Sequence, residues 1–460
     1  MRRSSRLHAW PLWLLVAMIA WSIFAVGGVY VWASAPLLAA AAVLAVAFRP
    51  RIAASAETRL LDWMLIAAAA AVLFQLLPLP PSTLAVFSPE AATVRSTLVL
   101  SAVPGTARGW SSVSVAPQST AYALALVIAG LIVFWTTRQL CAQGGARPIV
   151  RAVATIGLLA AVVAVMQQTG DPRLIYGRWM PLEEGARPFG PFINRNHYAT
   201  WVLMAFPLAV GQVAATVSTH RPSSRIAGEM AAMLQSLGTS AAWVAVAAVV
   251  MTIGLAASTS RSGLLALGVS LVTTAWIGRQ RMDRRTRLWG LVGVVTLAGA
   301  VYAYVKMDPI LWRVEETLVV GAGGRPEVWR EASLIIHDFW MTGIGLGTFQ
   351  TAMLVYQQMN RAVFVNQAHS QYLQLLAEGG VLVAIPVLIG MFAFLRLFMR
   401  RLKSDSSPSA WIRIGGMTAL VAVAVQGVWE TGLRMPANGV LFAVAAAIAV
   451  HRPAVRETDQ

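Results

Sequence analysis

The sequence predicts an all-α, polytopic membrane protein of about twelve transmembrane helices, and three observations carry that reading. Of its 460 residues, 57% are apolar and only 12% are charged, roughly half the charge of a soluble domain. The apolar residues are gathered into runs of the length that crosses a hydrocarbon core, about 20 residues of helix each. The basic residues between those runs then sort to one side. Together these features exclude an ordinary soluble enzyme.

The first half of the chain holds apolar runs near 11–27, 29–48, 61–77, 119–137, 149–167 and 197–217. The second half holds runs near 241–259, 262–278, 288–305, 381–399, 412–429 and 435–450. The first run follows three arginines, Arg2, Arg3 and Arg6, as a signal peptide would. A second run follows at once with no small-residue cleavage pattern between them, so the first is read as a membrane helix. Twelve crossings put both termini on one side. Placing them in the cytoplasm assigns 23 of the 36 Lys and Arg residues to that side, but only 7 of the 19 acidic ones, as expected for cytoplasmic loops. The net charge of +17 is therefore a topology signal and not a nucleic-acid footprint. A single cysteine, Cys141, allows no internal disulfide.

The chain reads as one integral membrane domain, 1–460, with long outside segments at 78–118, 168–196 and 306–380. Segments of that length are commonly functional. The first opens on Pro78, Pro80 and Pro81 and reads as an irregular cover. The third holds a helix from Pro326 to Asp338, a glycine-rich turn over 343–347, and a second helix that begins near His369 and is stopped by Gly379 and Gly380.

Histidine is the side chain most easily used as a base near neutral pH. Of the six histidines, His197, His337 and His369 fall outside. His369 opens a helix, where the dipole disfavours imidazolium and leaves the neutral ring a general base needs. Taken alone, a capping or packing role fits it equally well.

Arginines on that side form a second class. Arg261 lies in Ser258-Thr259-Ser260-Arg261-Ser262-Gly263, a turn too short to be a loop. Its charge thus sits at or near membrane depth, where charge is costly and usually functional unless it snorkels to the interface. Arg187 and Arg195 precede the sixth run, and Arg325 precedes the helix of the third outside segment. Planar guanidinium forks match the oxygens of a diphosphate and stay charged at any relevant pH.

Other patterns are weaker. The 343–347 turn is not GxGxxG and follows a helix, which argues against a nucleotide loop. Glu183 with Glu184 and Glu315 with Glu316 are adjacent pairs, not spaced metal ligands. The scarcity of carboxylates in mid-span disfavours a proton-coupled transporter.

In combination these segments resemble the O-antigen ligase and polymerase superfamily of bacterial envelope glycosyltransferases. The resemblance rests on Arg187 to Gly190 continuing through Asn196 to Ala199, and on Ser260-Arg261-Ser262-Gly263. It continues with Gly324-Arg325 and Trp329, the 343–349 turn, and His369-Ser370 with Gly380. It is strongest over 185–385, the ligase-like catalytic region. Val383 departs from the ligase pattern, which keeps a polymerase open as the alternative. The resemblance implies a GT-C-like membrane fold with a large helical periplasmic loop, in the bacterial inner membrane, with the active site on the periplasmic face. It implies metal-independent, inverting transfer from an undecaprenyl-diphosphate-linked glycan to lipid A-core or another glycan acceptor, without a cofactor. His369, Arg261 and Arg187 would be catalytic. Arg195, Arg325, Asn196, Trp329 and Ser370 would bind diphosphate or glycan. A lipid-linked sugar transporter or flippase is the rival from another class.

Overall fold

A computed structural model describes residues 9–98, 109–183, 186–218, 238–282, 325–358, 361 and 364–452. In chain order the helices are α1 (Trp10–Phe24), α2 (Val31–Val43), α3 (Ala56–Phe74), α4 (Pro81–Phe87), α5 (Ala91–Leu98), α6 (Pro117–Gly144), α7 (Arg147–Gln167) and α8 (Arg195–Val217). They continue as α9 (Gly238–Ala257), α10 (Arg261–Gly278), α11 (Arg325–Asp338), α12 (Phe349–Tyr356), α13 (Gln371–Ser404), α14 (Ala410–Gln426) and α15 (Pro436–Ala449). The only strand-like pairings among the described residues are isolated bridges.

Six helices among the described residues are long and apolar enough to cross a membrane: Val31–Phe48, Pro117–Gly144, Arg147–Gln167, Arg195–Val217, Arg261–Arg281 and Gln371–Ser404. Four shorter apolar helices, α1, the stretch Ala241–Ala257 of α9, α14 and α15, accompany them. With α3, helices occupy every predicted apolar run except 288–305. That run, the pair Glu315 and Glu316, Glu184 and Gly324 lie outside the described residues.

Polar bonds gather at the two ends of the bundle. At one end, the Tyr176 hydroxyl donates to Phe24 O at 2.6 Å and the Gln371 N–H to Gly427 O at 2.7 Å. At the other, Arg281 donates to Leu402 O and Asp405 O, both at 2.7 Å. The most buried of the six long helices is α8, with 72% of its most apolar window inside the protein. It crosses α14 at close range: a Cβ on Gly211 would meet Trp411 O at 2.5 Å, and one on Gly415 would meet Pro207 O at 2.4 Å. Small residues at such crossings let helix backbones approach where no hydrophobic force drives them together.

A second, smaller core lies at the first of these ends. It joins Leu84, Val94 and Val113 to Ile335, Phe339, Ile344 and Phe349. The 78–118 segment is therefore not irregular as predicted. Its described residues include α4 and α5, and these pack against α11, α12 and the 343–347 turn. Gln75 ties both to the bundle, its Nε2 donating to Thr342 O and Glu378 O at 2.7 and 2.8 Å.

The predicted stop at Gly379 and Gly380 is a break, not an end. Gly380 takes φ 56°, ψ −164°, and α13 resumes beyond it to Ser404. The N–H groups freed there are satisfied, with Val381 N–H donating to Trp340 O at 2.8 Å and Leu382 N–H to Met341 O at 2.9 Å. Because those donors find partners, the chain can re-enter the helix without an uncapped terminus. A Cβ on Gly380 would stand 2.5 Å from Gly343 N. The 343–347 turn thus serves close backbone packing against the broken helix.

Candidate functional site

The site is built where α8, α10, α11 and α13 begin and α14 ends. Residues 187–194 form a tight turn in which Arg195 N–H returns to Arg187 O at 3.1 Å. Asn194 caps α8 by accepting the Asn196 N–H at 2.8 Å. The Asn196 side chain then reaches in two directions. Its Nδ2 donates to Glu430 Oε1 at 2.5 Å, and its Oδ1 accepts the Ser260 hydroxyl at 2.8 Å. Ser260 is itself the N-cap of α10, accepting the Gly263 N–H at 3.3 Å. Arg195 Nη1 donates to Thr259 Oγ1 at 3.2 Å, and Thr259 takes a left-handed φ of 50°. Arg261, exposed at the first position of α10, is presented by this arrangement.

From the other side Arg325, the first residue of α11, forms an ion pair with the buried Glu430 at 2.9 Å. One turn on, Trp329 Nε1 donates to Ala368 O at 2.9 Å. The Ala368 N–H donates to Gln374 Oε1 at 2.7 Å, and Gln374 Nε2 to Glu378 Oε1 at 2.7 Å. The residue before His369 is therefore held from both faces.

His369 lies one residue before the N-cap, Ser370, of the helix predicted to begin near it. Its φ is 50°, uncommon for a non-glycine residue and often associated with function. Burial, then the positive charges of Arg325 and Arg434, lower its pKa from 6.5 to about 4. The neutral ring expected from the helix dipole thus owes its state to desolvation and two arginines. Its Nδ1 is buried without a hydrogen-bond partner.

The sequence-predicted residues converge unequally. Arg195, Asn196, Arg325, Trp329 and Ser370 all join the network around Glu430 and His369. Ser370 is buried, and its carbonyl accepts the Gln374 N–H at 2.9 Å. Both polar atoms of the Asn196 amide are bonded to protein partners. Arg187 is exposed, and only its backbone is tied to the group. His337 is exposed beside Asp338, and His197 is buried in α8. Among the described residues no three His, Cys, Asp or Glu side chains converge as a metal would require.

Sequence reasoning missed Glu430 and Arg434. Both lie in the turn 427–435 between α14 and α15, which straps the approach to His369. Arg434 Nη1 donates to Asn366 O at 2.6 Å, and the Thr431 hydroxyl donates to Gln367 Oε1. The argument that singled out Arg261, a charge in a turn too short to be a loop, applies equally to them. Burial raises the Glu430 carboxyl to about 7 even though Arg325, Arg195 and Asn196 pull it down.

Fold and site thus define an all-helical membrane protein carrying, at one end of its bundle, a group of arginines and a neutral histidine organised around one buried carboxylate. Residues 246–387 match the family model described as O-antigen ligase, which relates the chain to the O-antigen ligase and polymerase superfamily. A search of curated proteins gave no match. The matched segment takes in Ser260 to Gly263, Arg325, Trp329, His369 and Ser370. It leaves Arg187, Arg195, Asn196 and Glu430 outside.

Proposed function

We propose that the protein transfers a glycan from an undecaprenyl-diphosphate-linked saccharide to an acceptor hydroxyl at the periplasmic face of the bacterial inner membrane. The chain would cross the membrane twelve times with both termini in the cytoplasm, a reading supported by the charge asymmetry of its loops. The observation that carries the function is His369: a neutral imidazole with a buried, unpartnered nitrogen, beside two arginines. A buried polar atom left unpaired is costly, and an acceptor hydroxyl would satisfy it.

In the proposed step the acceptor O–H proton passes to the imidazole as the oxygen attacks the anomeric carbon. The bond from that carbon to the diphosphate oxygen breaks, and its electron pair leaves on the diphosphate. Attack opposite the leaving group inverts the configuration. Arg261 and Arg187, with Arg195 and Arg325, would stabilise the departing charge, the kind of contribution that usually dominates such catalysis. No metal, cofactor or nucleic acid is required, because the lipid diphosphate is already activated. Bound diphosphate would also neutralise the arginines that depress His369, so the base would strengthen as the donor arrives.

A flippase would need charge lining a cavity reachable from both faces. Arg195, Arg261 and Arg325, with the backbone of Arg187, instead gather at one end. Between subtypes, His369-Ser370 with Gly380 favours a ligase acting on lipid A-core, whereas Val383 keeps a polymerase of O-antigen or exopolysaccharide close behind. A deletion strain resolved on a lipopolysaccharide gel tests this. The expected result is bare core with long glycan retained on the lipid carrier. Core bearing a single repeat would make the protein a polymerase. An unchanged ladder with lost exopolysaccharide would indicate polymerisation of another glycan.

A further inference from the structure

We infer that Glu430 is a positioning residue for this transfer: it fixes Arg325 directly and, through Asn196 and Ser260, the start of the helix that presents Arg261. The inference rests on the transfer reading above. One oxygen, Oε1, receives both Arg325 Nη2 at 2.9 Å and Asn196 Nδ2 at 2.5 Å. These donors lie 105 and 234 residues away in the chain. The Asn196 amide passes the constraint to Ser260 at 2.8 Å, and Ser260 caps the helix that begins with Arg261. Residues of the same turn bond Asn366 and Gln367, just ahead of His369. One hydrogen-bonded turn therefore sets the arginines and the base relative to each other.

The second oxygen argues that Glu430 is more than a structural staple. Oε2 is buried with no partner, as are Gln371 Oε1 and Gln426 Oε1. All three residues line one small pocket together with Thr200. A carboxylate would repel a diphosphate, so Glu430 is not a ligand for the donor's charge. Its effect must pass through the groups it holds, and that gives it a kinetic signature. Losing it should slow the chemistry without weakening capture of the anion.

The test uses the purified full chain in proteoliposomes, with the lipid-linked donor and the acceptor extracted from membranes of a strain lacking this protein. Glu430→Ala is expected to lower kcat about a hundredfold, the scale of a misplaced catalytic group. Glu430→Gln, which keeps the volume and an acceptor oxygen, is expected to lower it about tenfold. The donor KM should not rise in either variant. Adding Glu430→Ala to Arg325→Ala should cost less than the two single losses multiplied, because the arm through Arg325 is then already lost and only the one through Asn196 remains. The inference is overturned if kcat in both Glu430 variants stays within twofold of wild type, or if losses in the double variant multiply. A raised KM with unchanged kcat would overturn it too. Should Glu430→Ala fail to accumulate, Glu430→Gln carries the test. The wild-type chain in the same assay separates the two levels: no transfer there would sink the transfer reading itself, whereas wild-type transfer that His369→Ala abolishes, beside unaffected Glu430 variants, would reject only the role of Glu430.

Discussion

Of the buried carboxylates that pair with arginines, Asp62 and Glu430 lie at opposite ends of the bundle and are finished differently. Asp62 Oδ1 accepts Trp135 Nε1 at 3.0 Å and Arg138 Nη1 at 2.8 Å. Its Oδ2 accepts Arg138 Nη2 at 2.7 Å and the Ala53 N–H at 2.8 Å. Four donors meet two oxygens, and the arginine fork is engaged bidentately. At the other end Glu430 has one oxygen doubly used and the other unpaired, and its arginine partner stays 26% exposed. A fully satisfied buried pair has nothing left with which to bind a ligand and acts as a staple. The half-satisfied pair retains unused polar groups beside His369. The proposed site thus falls at the pair whose hydrogen bonding is incomplete.

The largest effect that would test this contrast is at His369. His369→Ala should reduce transfer by about 10²–10⁴-fold, the usual contribution of a general base, while the protein still accumulates in the membrane. His337→Ala, at an exposed site, should transfer normally. A His369→Ala protein with wild-type turnover would leave the unsatisfied end without its function.

Next comes the opposite end. Asp62→Ala should destabilise the fold by about 3–5 kcal/mol, because Arg138 is left as an uncompensated buried charge. Thermal aggregation in detergent would reveal the loss. Turnover per folded molecule should stay unchanged, and a lowered kcat in folded Asp62→Ala protein would erase the distinction between the two pairs.

A smaller loss is expected for Arg261→Lys, which keeps the charge and removes the planar fork. Turnover should fall about tenfold or more, and near-normal turnover would mean that charge alone suffices there.

The subtlest effect is on pH. Only the neutral imidazole accepts a proton, so activity is lost as pH falls through its pKa. With that pKa lowered from 6.5 to about 4 in the free protein, the imidazole limb of kcat/KM should fall towards pH 4, below the step that Glu430 contributes as its carboxyl is protonated. The acid limb of kcat should lie higher, since bound diphosphate offsets Arg325 and Arg434. The profile should be repeated in Glu430→Gln, because the buried carboxyl, raised to about 7, titrates above the imidazole. A kcat/KM limb near 6.5 that persists in that variant would contradict a desolvated His369.

Much of this protein follows from local sequence, because membrane helices obey local rules. Apolar runs must satisfy their backbone internally, so their length and order mark helices α1 to α3, α6 to α10 and α13 to α15. Charges near membrane depth are expensive, which marks Arg261, and an outside histidine at a helix start marks His369. Tertiary structure alone decided how these groups combine. The second core needs Leu84 to meet Ile335, a pairing no periodicity encodes. Gly380 breaks α13 without ending it because Trp340 and Met341 accept the freed N–H groups. Glu430, a charge in a short turn, acquires partners only when Asn196 and Arg325, distant in sequence, close around one of its oxygens. Helices are specified by neighbours along the chain, but burial, hydrogen-bond satisfaction and the protonation of a base depend on what folding brings alongside.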